Sequence, residues 1–185
     1  MKISLILHVK KSYVKYFNGF SLSGEESLFA SYVIDAAYTV AGFSFGAQKA
    51  LEYTYASENR IDRLILLSPA FFQTEKPSFI RTQLRYFESD KAAYVKNFLD
   101  NVCAPSTIDI SKYLYLDSRE ALEQLLCYQW ESDKIETLVK RGVEIEVYFG
   151  AQDKIINVSK ALAFFTTTTN YILKDAGHLL RTKDD

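Results

Sequence analysis

The sequence is organised around Gly42-Phe43-Ser44-Phe45-Gly46, in which a serine has a glycine two positions to each side. The apolar stretch before it predicts a strand, and the run at 47–53 predicts a helix. A serine in so sharp a strand-to-helix turn takes a strained backbone conformation, and the glycines let strand and helix pass closely. The serine oxygen then lies at a helix N-terminus, where developing negative charge is favoured. Ser44 is therefore a candidate nucleophile.

The length and composition fit one globular domain, 1–185. Hydrophobic residues make up 48% of the chain, charged residues 24%, and the formal net charge is −1. This charge gives no overall electrostatic footprint for nucleic acid. The two cysteines show neither metal-ligand spacing nor a disulfide framework, and the apolar run at 1–9 is too short to span a membrane. We expect a cytoplasmic protein with no metal, no cofactor, and neither nucleic acid nor membrane as a partner.

Strand patterns recur along the chain. Apolar or alternating runs typical of strands lie at 3–9, 13–17, 38–41, 61–67, 143–149 and 171–173. Ser23, with Glu26 three residues later, predicts a capped helix to about residue 33. Further helices are predicted after Ser44 and after Asn157. Because strands alternate with helices, we expect a parallel sheet whose site lies at the carboxyl ends of its strands.

From about residue 70 to 141 the pattern is helical, with no convincing central strand. Four helices are predicted, at about 80–87, 90–100, 118–130 and 132–141. The turn around Ser44 is typical of the nucleophile elbow of α/β-hydrolases. The sequence therefore predicts a compact α/β-hydrolase with a mostly parallel central sheet and a helical lid insertion at about 70–141.

A serine hydroxyl needs a neighbouring base, and the chain contains two histidines. His8 lies inside the first apolar run, where packing explains it, whereas His178 follows the last predicted strand, where α/β-hydrolases place their base. The acid should follow a strand between serine and histidine. Asp153 does so and gives the order Ser, Asp, His. Asp175 is the alternative, although an aspartate there is equally typical of a turn.

An oxyanion hole needs two backbone amides that point at one position. The amide of Phe45, next after the nucleophile, is the first candidate, and the amide of Phe20, in the loop after an early strand, is the second. Asn18 stands where many hydrolases carry a histidine before the glycine. An ordinary turn at Gly19-Phe20 is the alternative interpretation.

Basic residues predominate in the first half of the helical insertion. Between 76 and 96, two acidic residues, Glu88 and Asp90, accompany five basic ones: Lys76, Arg81, Arg85, Lys91 and Lys96. A mixed, solvated helix face explains such a composition. The alternative is a docking patch for an acidic partner, on helices that cover the serine.

From about residue 16 to 180 the sequence resembles the short, atypical pimeloyl-[acyl-carrier protein] methyl ester esterases of biotin synthesis. The resemblance includes the separation of 25 positions from Gly19 to Ser44, too small for a further βα unit. It rests on the segments 17–20, 42–53, 66–69, 142–147 and 177–180. It implies a serine carboxylesterase with a Ser44, Asp153 and His178 triad. The implied partner is an acyl carrier protein that bears a phosphopantetheine-linked pimeloyl methyl ester.

Two other functions fit the same residues. An acyl thioesterase or a general carboxylesterase would use the same triad. A hydrolase-fold protein without activity, which only binds its partner, is the alternative from another class.

Overall fold

A computed structural model describes residues 14–33 and 37–185, and its centre is a parallel β-sheet. Five strands pair in chain order, and every pairing between them is parallel. The strands are β1 (Lys15–Phe17), β2 (Thr39–Phe43), β3 (Arg63–Leu67), β4 (Glu144–Gly150) and β5 (Thr169–Leu173). The predicted α/β class and mostly parallel sheet are confirmed. The strand predicted at 3–9 lies outside the described residues.

Six α-helices accompany the sheet in the described chain. They are α1 (Phe45–Ala56), α2 (Pro77–Ser89), α3 (Lys91–Cys103), α4 (Arg119–Cys127), α5 (Ser132–Lys140) and α6 (Val158–Phe164). Helices α2 to α5 all lie between β3 and β4, within the segment predicted as a helical insertion. Three N-termini are fixed by a side-chain oxygen that accepts from a backbone amide: Asp90 caps α3, Ser118 caps α4 and Asn157 caps α6.

The prediction of a capped helix from Ser23 to about residue 33 is wrong in the type and the length of the helix. The structure has a short 3₁₀ helix, Glu25–Phe29, preceded by Gly24 in a left-handed conformation, and Ser23 makes no cap. The reason is a competing set of long-range contacts. The amide of Ser23 donates to the carbonyl of Tyr113, and the carboxylate of Glu25 turns back to accept from the amide of Gly19.

The core explains why the central strands read as continuous apolar runs. All residues of β2 are buried, as are the last four of β3, because a parallel strand in the middle of a sheet is covered on both faces. Helix α1 packs against β1, β2 and β3, while α2 packs against α3 and α4 in a separate helical layer. In the part of the chain that the structure describes, no helix is both long and apolar enough to cross a membrane.

The close approach of α1 to β1 generates a prediction. A Cβ atom on Gly46 would lie 1.9 Å from the carbonyl oxygen of Phe17, a backbone atom that no rotamer change can move. We expect Gly46→Ala to lower the free energy of unfolding by about 4 kcal/mol or more. Gly24→Ala is the matched control, because a Cβ there meets open space and only the left-handed backbone costs about 1–2 kcal/mol. Equal losses in urea denaturation would contradict the predicted clash.

Candidate active site

Ser44 occupies the turn between β2 and α1, at the carboxyl end of the sheet. Its φ is 53° and its ψ −111°, a conformation that a residue with a side chain rarely adopts. Backbone hydrogen bonds hold it there: its amide donates to the carbonyl of Leu67, and its carbonyl accepts from the amides of Ala47 and Ala70. The direction of the side chain is therefore fixed by the backbone. Ser44 is only 2% exposed.

His178 lies in the loop after β5 and is completely buried. Its Nε2 is 2.9 Å from the Oγ of Ser44. The imidazole packs against the ring of Phe43, with 5.2 Å between the ring centroids. The loop is attached to the helical insertion, since the amide of Leu179 donates to the carbonyl of Val102 at the end of α3.

Asp153 follows β4 and completes the series on the far side of the imidazole. Its Oδ2 is 2.6 Å from the Nδ1 of His178, and its Oδ1 accepts from the amides of Ile155 and Ile156. Both ring nitrogens are hydrogen-bonded if Nδ1–H donates to the carboxylate and Nε2 accepts from the serine hydroxyl. Asp175 is exposed in the turn after β5 and makes no hydrogen bond to His178. The structure thus brings together the three residues that the sequence analysis selected.

The loop Gly19–Leu22 carries the second predicted amide. Its neighbours are already bonded: the amide of Gly19 donates to Glu25, that of Ser21 to Asp117, and that of Leu22 back to the carbonyl of Gly19. Within the described chain, the amide of Phe20 has no acceptor. The amide of Phe45 is likewise free of a helical partner, because Phe45 is the first residue of α1. Both predicted oxyanion donors remain available.

Glu25 is a buried carboxylate beside this loop, and the sequence analysis gave it no role. One oxygen accepts from the amide of Gly19 at 2.7 Å and from the hydroxyl of Tyr16 at 3.2 Å, and the other has no partner in the described chain. Burial raises the pKa of Glu25, although the hydrogen bond from Gly19 lowers it. The neighbouring sequence does not reveal that Glu25 is a buried hydrogen-bond acceptor, because an acidic residue is also common in the first turn of a helix.

A cleft of about 250 Å³ opens between helices α2, α3 and α4 and the loop after β4, and we call it the carboxamide cleft. Its polar lining comprises Gln83, Tyr94, Asn97, Asn101 and Lys154, and its apolar lining comprises Phe72, Phe79, Phe98, Leu122, Leu125, Leu126 and Ile155. The ring of Phe98 packs edge-on against that of Phe20, with centroids 5.5 Å apart. Lys154 and Ile155 directly follow Asp153. The cleft is therefore linked to the site through the residues that follow Asp153 and through the ring of Phe20.

The five basic residues predicted as a docking patch fall into two groups. Arg81 and Arg85 are exposed on α2, and in the described chain neither forms an ion pair; the same holds for Lys76, which precedes α2. Lys96 pairs with Asp100 at 2.7 Å, and Lys91 donates to the carbonyl of Leu116. The first group is therefore the more available to a partner. Over residues 14–33 and 37–185, no cluster of His, Cys, Asp or Glu could hold a metal ion.

Comparison with known proteins identifies the fold. No family model matches the chain, and no curated protein matches its sequence. Among solved structures, naproxen esterase from Bacillus subtilis matches 90% of this chain and 77% of its own, with a TM-score of 0.58 and 15% identity. BioG from Haemophilus influenzae matches over 90% and 88%, with a TM-score of 0.55 and 9% identity. The chain has an α/β-hydrolase fold.

Other matched structures are considerably longer. Carboxylesterase CesB from Bacillus subtilis matches 84% of this chain with a TM-score of 0.50 and 19% identity. This chain spans 57% of CesB, 59% of an esterase from Exiguobacterium antarcticum, and 53% of another Bacillus subtilis hydrolase. At such identities the likeness shows the fold alone.

The geometry around His178 predicts which aspartate matters. Asp153→Asn should reduce kcat by about 10⁴-fold, because an amide favours the wrong imidazole tautomer and cannot stabilise its charge. Asp175→Asn, the matched control in an exposed turn, should leave kcat within a few-fold of the unchanged chain. Steady-state kinetics on a soluble ester measures both. A larger loss from the change at Asp175 would show that Asp153 is not the acid.

Proposed function

We propose that the protein is a serine carboxylesterase. The observation that carries the proposal is the hydrogen-bonded series Ser44 Oγ, His178 Nε2 and Nδ1, and Asp153 Oδ2, with distances of 2.9 and 2.6 Å. A hydroxyl in a strained turn, a base within hydrogen-bond reach and an acid that orients the base are the elements of acyl transfer through a serine.

In the first half of the reaction, His178 accepts the hydroxyl proton while Ser44 Oγ attacks the ester carbonyl carbon. The carbonyl oxygen becomes an oxyanion, which the amides of Phe20 and Phe45 stabilise. The carbon–oxygen bond to the alcohol then breaks, and the alcohol leaves with the proton from His178. An acyl-serine results.

In the second half, water attacks the acyl-serine and gives a proton to His178. The same two amides stabilise the second oxyanion. When this intermediate collapses, Ser44 recovers its proton and the carboxylic acid is released. Asp153 keeps the imidazole in one tautomer and stabilises its positive charge in both halves.

The substrate that we propose is the methyl ester of a pimeloyl group carried on acyl carrier protein, with methanol as the alcohol released. The sequence resemblance described above supports this substrate. Two features of the helical insertion fit it as well. Arg81 and Arg85 offer positive charge to an acidic carrier, and the carboxamide cleft offers side chains that pair well with the amides of a phosphopantetheine arm.

One assay separates this substrate from those of a general carboxylesterase or a thioesterase. Pimeloyl methyl ester bound to carrier protein is incubated with the enzyme, and the intact carrier is weighed by mass spectrometry. We expect loss of the methyl group with the thioester retained. Release of the whole acyl group would indicate a thioesterase. Turnover of short soluble esters alone would indicate a general carboxylesterase, and no labelling of Ser44 by a fluorophosphonate would indicate a binding protein.

The proposed mechanism predicts that the nucleophile and base act as one unit. Ser44→Ala and His178→Ala should each abolish esterase activity, and the double variant should lose no more than either single one. Thermal unfolding should still be cooperative in all three, since Ser44→Ala removes only a hydroxyl. Independent, multiplying losses in the double variant would contradict a shared step.

The proposed docking surface predicts a dependence on charge. Arg81→Glu with Arg85→Glu should lower kcat/KM for the carrier-bound ester and leave a small soluble ester nearly unaffected, with a loss that shrinks as salt increases. Lys140→Glu with Lys183→Glu changes the net charge equally on other exposed positions and is the matched control. Equal losses on both substrates would mean that the arginines support the fold, and no loss would place docking elsewhere, first at Lys76.

A further inference from the structure

The loop that carries the Phe20 amide is joined to the helical insertion by a short antiparallel ladder. The amide of Ser23 donates to the carbonyl of Tyr113 at 2.8 Å, and the amide of Tyr115 donates to the carbonyl of Ser21 at 2.9 Å. Leu22 and Leu114 form the bridge between these bonds. Since these are backbone contacts, they bring the two segments together whatever their side chains are.

One side chain fixes the end of this ladder that lies next to Phe20. The carboxylate of Asp117 accepts from the amide of Ser21 at 2.7 Å, across 96 positions of sequence, and the amide of Asp117 faces the hydroxyl of Ser21 at 3.4 Å. A hydrogen bond to a carboxylate is about twice as strong as one between neutral groups. The contact therefore holds the peptide that immediately follows Phe20.

Ser21 needs such an anchor. It is completely buried and has a φ of 56°, in the left-handed region that a residue with a side chain adopts only when its surroundings impose it. The Phe20 carbonyl and the Ser21 amide lie in the same rigid peptide plane, so they turn together. If Ser21 relaxed to an ordinary conformation, the backbone at Phe20 would rotate and its free amide would change direction.

Asp117 also lies near Lys49, whose side chain packs on the ring of Phe45. The ammonium group of Lys49 lies 3.9 Å from the centroid of the Phe45 ring. Burial lowers the pKa of Lys49, and the negative charge of Asp117 acts in the opposite direction. Lys49 and Asp117 line one cavity of about 290 Å³, to which Gly19 and Leu22 of the loop also contribute. This arrangement places a cation near the carboxylate, which limits the negative potential that Asp117 would otherwise exert at the oxyanion position.

We propose that Asp117, a residue of the helical insertion, is a positioning residue for the oxyanion hole: it locks Ser21 so that the amide of Phe20 points at the position of the oxyanion. The inference rests on the proposed esterase function. It means that the insertion completes the catalytic geometry in addition to covering it.

The test compares Asp117→Ala with Asp117→Asn on p-nitrophenyl acetate, a substrate that needs no carrier protein. Loss of one oxyanion donor costs about 10²–10³-fold in kcat, so a loosened donor should cost about 10-fold or more. We expect this loss in kcat for Asp117→Ala, with KM nearly unchanged. Asp117→Asn keeps an acceptor, but a neutral one, and should lose only about twofold to fivefold.

A second readout is the inhibition constant of an alkylboronic acid, whose tetrahedral anion on Ser44 mimics the oxyanion intermediate. It should rise by the same factor as kcat falls, because both depend on the same amide. A merely structural role would not link the two. If Asp117→Ala does not fold, Asp117→Asn decides alone, since its smaller loss should still appear equally in kcat and in boronate binding.

Ser118→Ala is the control variant. Ser118 is the next residue and caps α4 by accepting from the amide of Ala121, so its loss weakens the same segment without touching Ser21. We expect a lower melting temperature and unchanged kcat. The inference is wrong if Asp117→Ala has wild-type kinetics, if the alanine and asparagine variants lose equally, or if Ser118→Ala loses as much. An inactive wild-type protein would instead contradict the proposed function, and this inference with it.

Discussion

Backbone packs directly against backbone at the turn that carries Ser44, and the rest of the site depends on this contact. A Cβ on Gly42 would lie 2.2 Å from the carbonyl oxygen of Gly46, and one on Gly46 would lie 1.9 Å from that of Phe17. Strands β1 and β2 and helix α1 therefore meet with no side chain between them. This proximity brings the loop after β1, with Phe20, to the same end of the sheet as the serine. The strained conformation of Ser44 costs about 1–3 kcal/mol, and its three backbone hydrogen bonds maintain it.

The loop after β5, which carries His178, is also held by close packing of backbone against backbone. A Cβ on Gly177 would lie 1.8 Å from the carbonyl oxygen of Ala104, and one on Gly150 would lie 2.0 Å from that of Gly177. The end of β4, the loop after β5 and the end of α3 thus pack as bare backbone. The backbone on the N-terminal side of His178 is therefore closely packed, and its ring packs against that of Phe43. A buried imidazole with two fixed partners needs no reorganisation when a proton moves.

The sequence predicted what local patterns determine. The glycines around Ser44, the apolar runs of β2 and β3, the helix from about residue 90 and the cap at Asn157 can each be predicted from a few neighbouring residues. The structure contains the corresponding elements. The short 3₁₀ helix at Glu25 was not predictable in this way. Its carboxylate bonds to Gly19 and Tyr16, contacts that depend on how the loop after β1 folds back.

The contact of Asp117 was also not predictable from local patterns, and it joins residues still further apart in the sequence. In sequence it precedes Ser118, a helix cap, and an aspartate before a helix needs no further explanation. Its partner Ser21 is 96 positions away, so only the tertiary structure pairs them. The order Ser, Asp, His was predictable because α/β-hydrolases place these residues in this order along the chain, each after a strand. Residues that support such a site come from wherever the chain returns, and no fixed spacing marks them.

These contacts bear on how a substrate reaches a buried serine. Backbone hydrogen bonds of Tyr113 and Tyr115 join the helical insertion to the loop that carries Phe20. The carbonyl of Val102 joins it to the loop that carries His178. Movement of the whole insertion would break both sets of bonds and disorder the two loops that the proposed reaction needs. We therefore expect entry along the carboxamide cleft, where side chains of α2 and α3 face the loop after Asp153 and can move without the backbone.

Helix α2 then separates the two proposed parts of substrate recognition. Phe79 and Gln83 face the cleft, whereas Arg81 and Arg85 lie about 200° further around the same helix. A carrier protein on the arginine side would be separated from the cleft by the helix itself, about 10 Å across. Only a substrate at the end of a long arm could bind both surfaces at once. Under the proposed function, the basic side of α2 and the polar cleft select together for a carried acyl group, while a small ester needs only the proposed triad and its two amides.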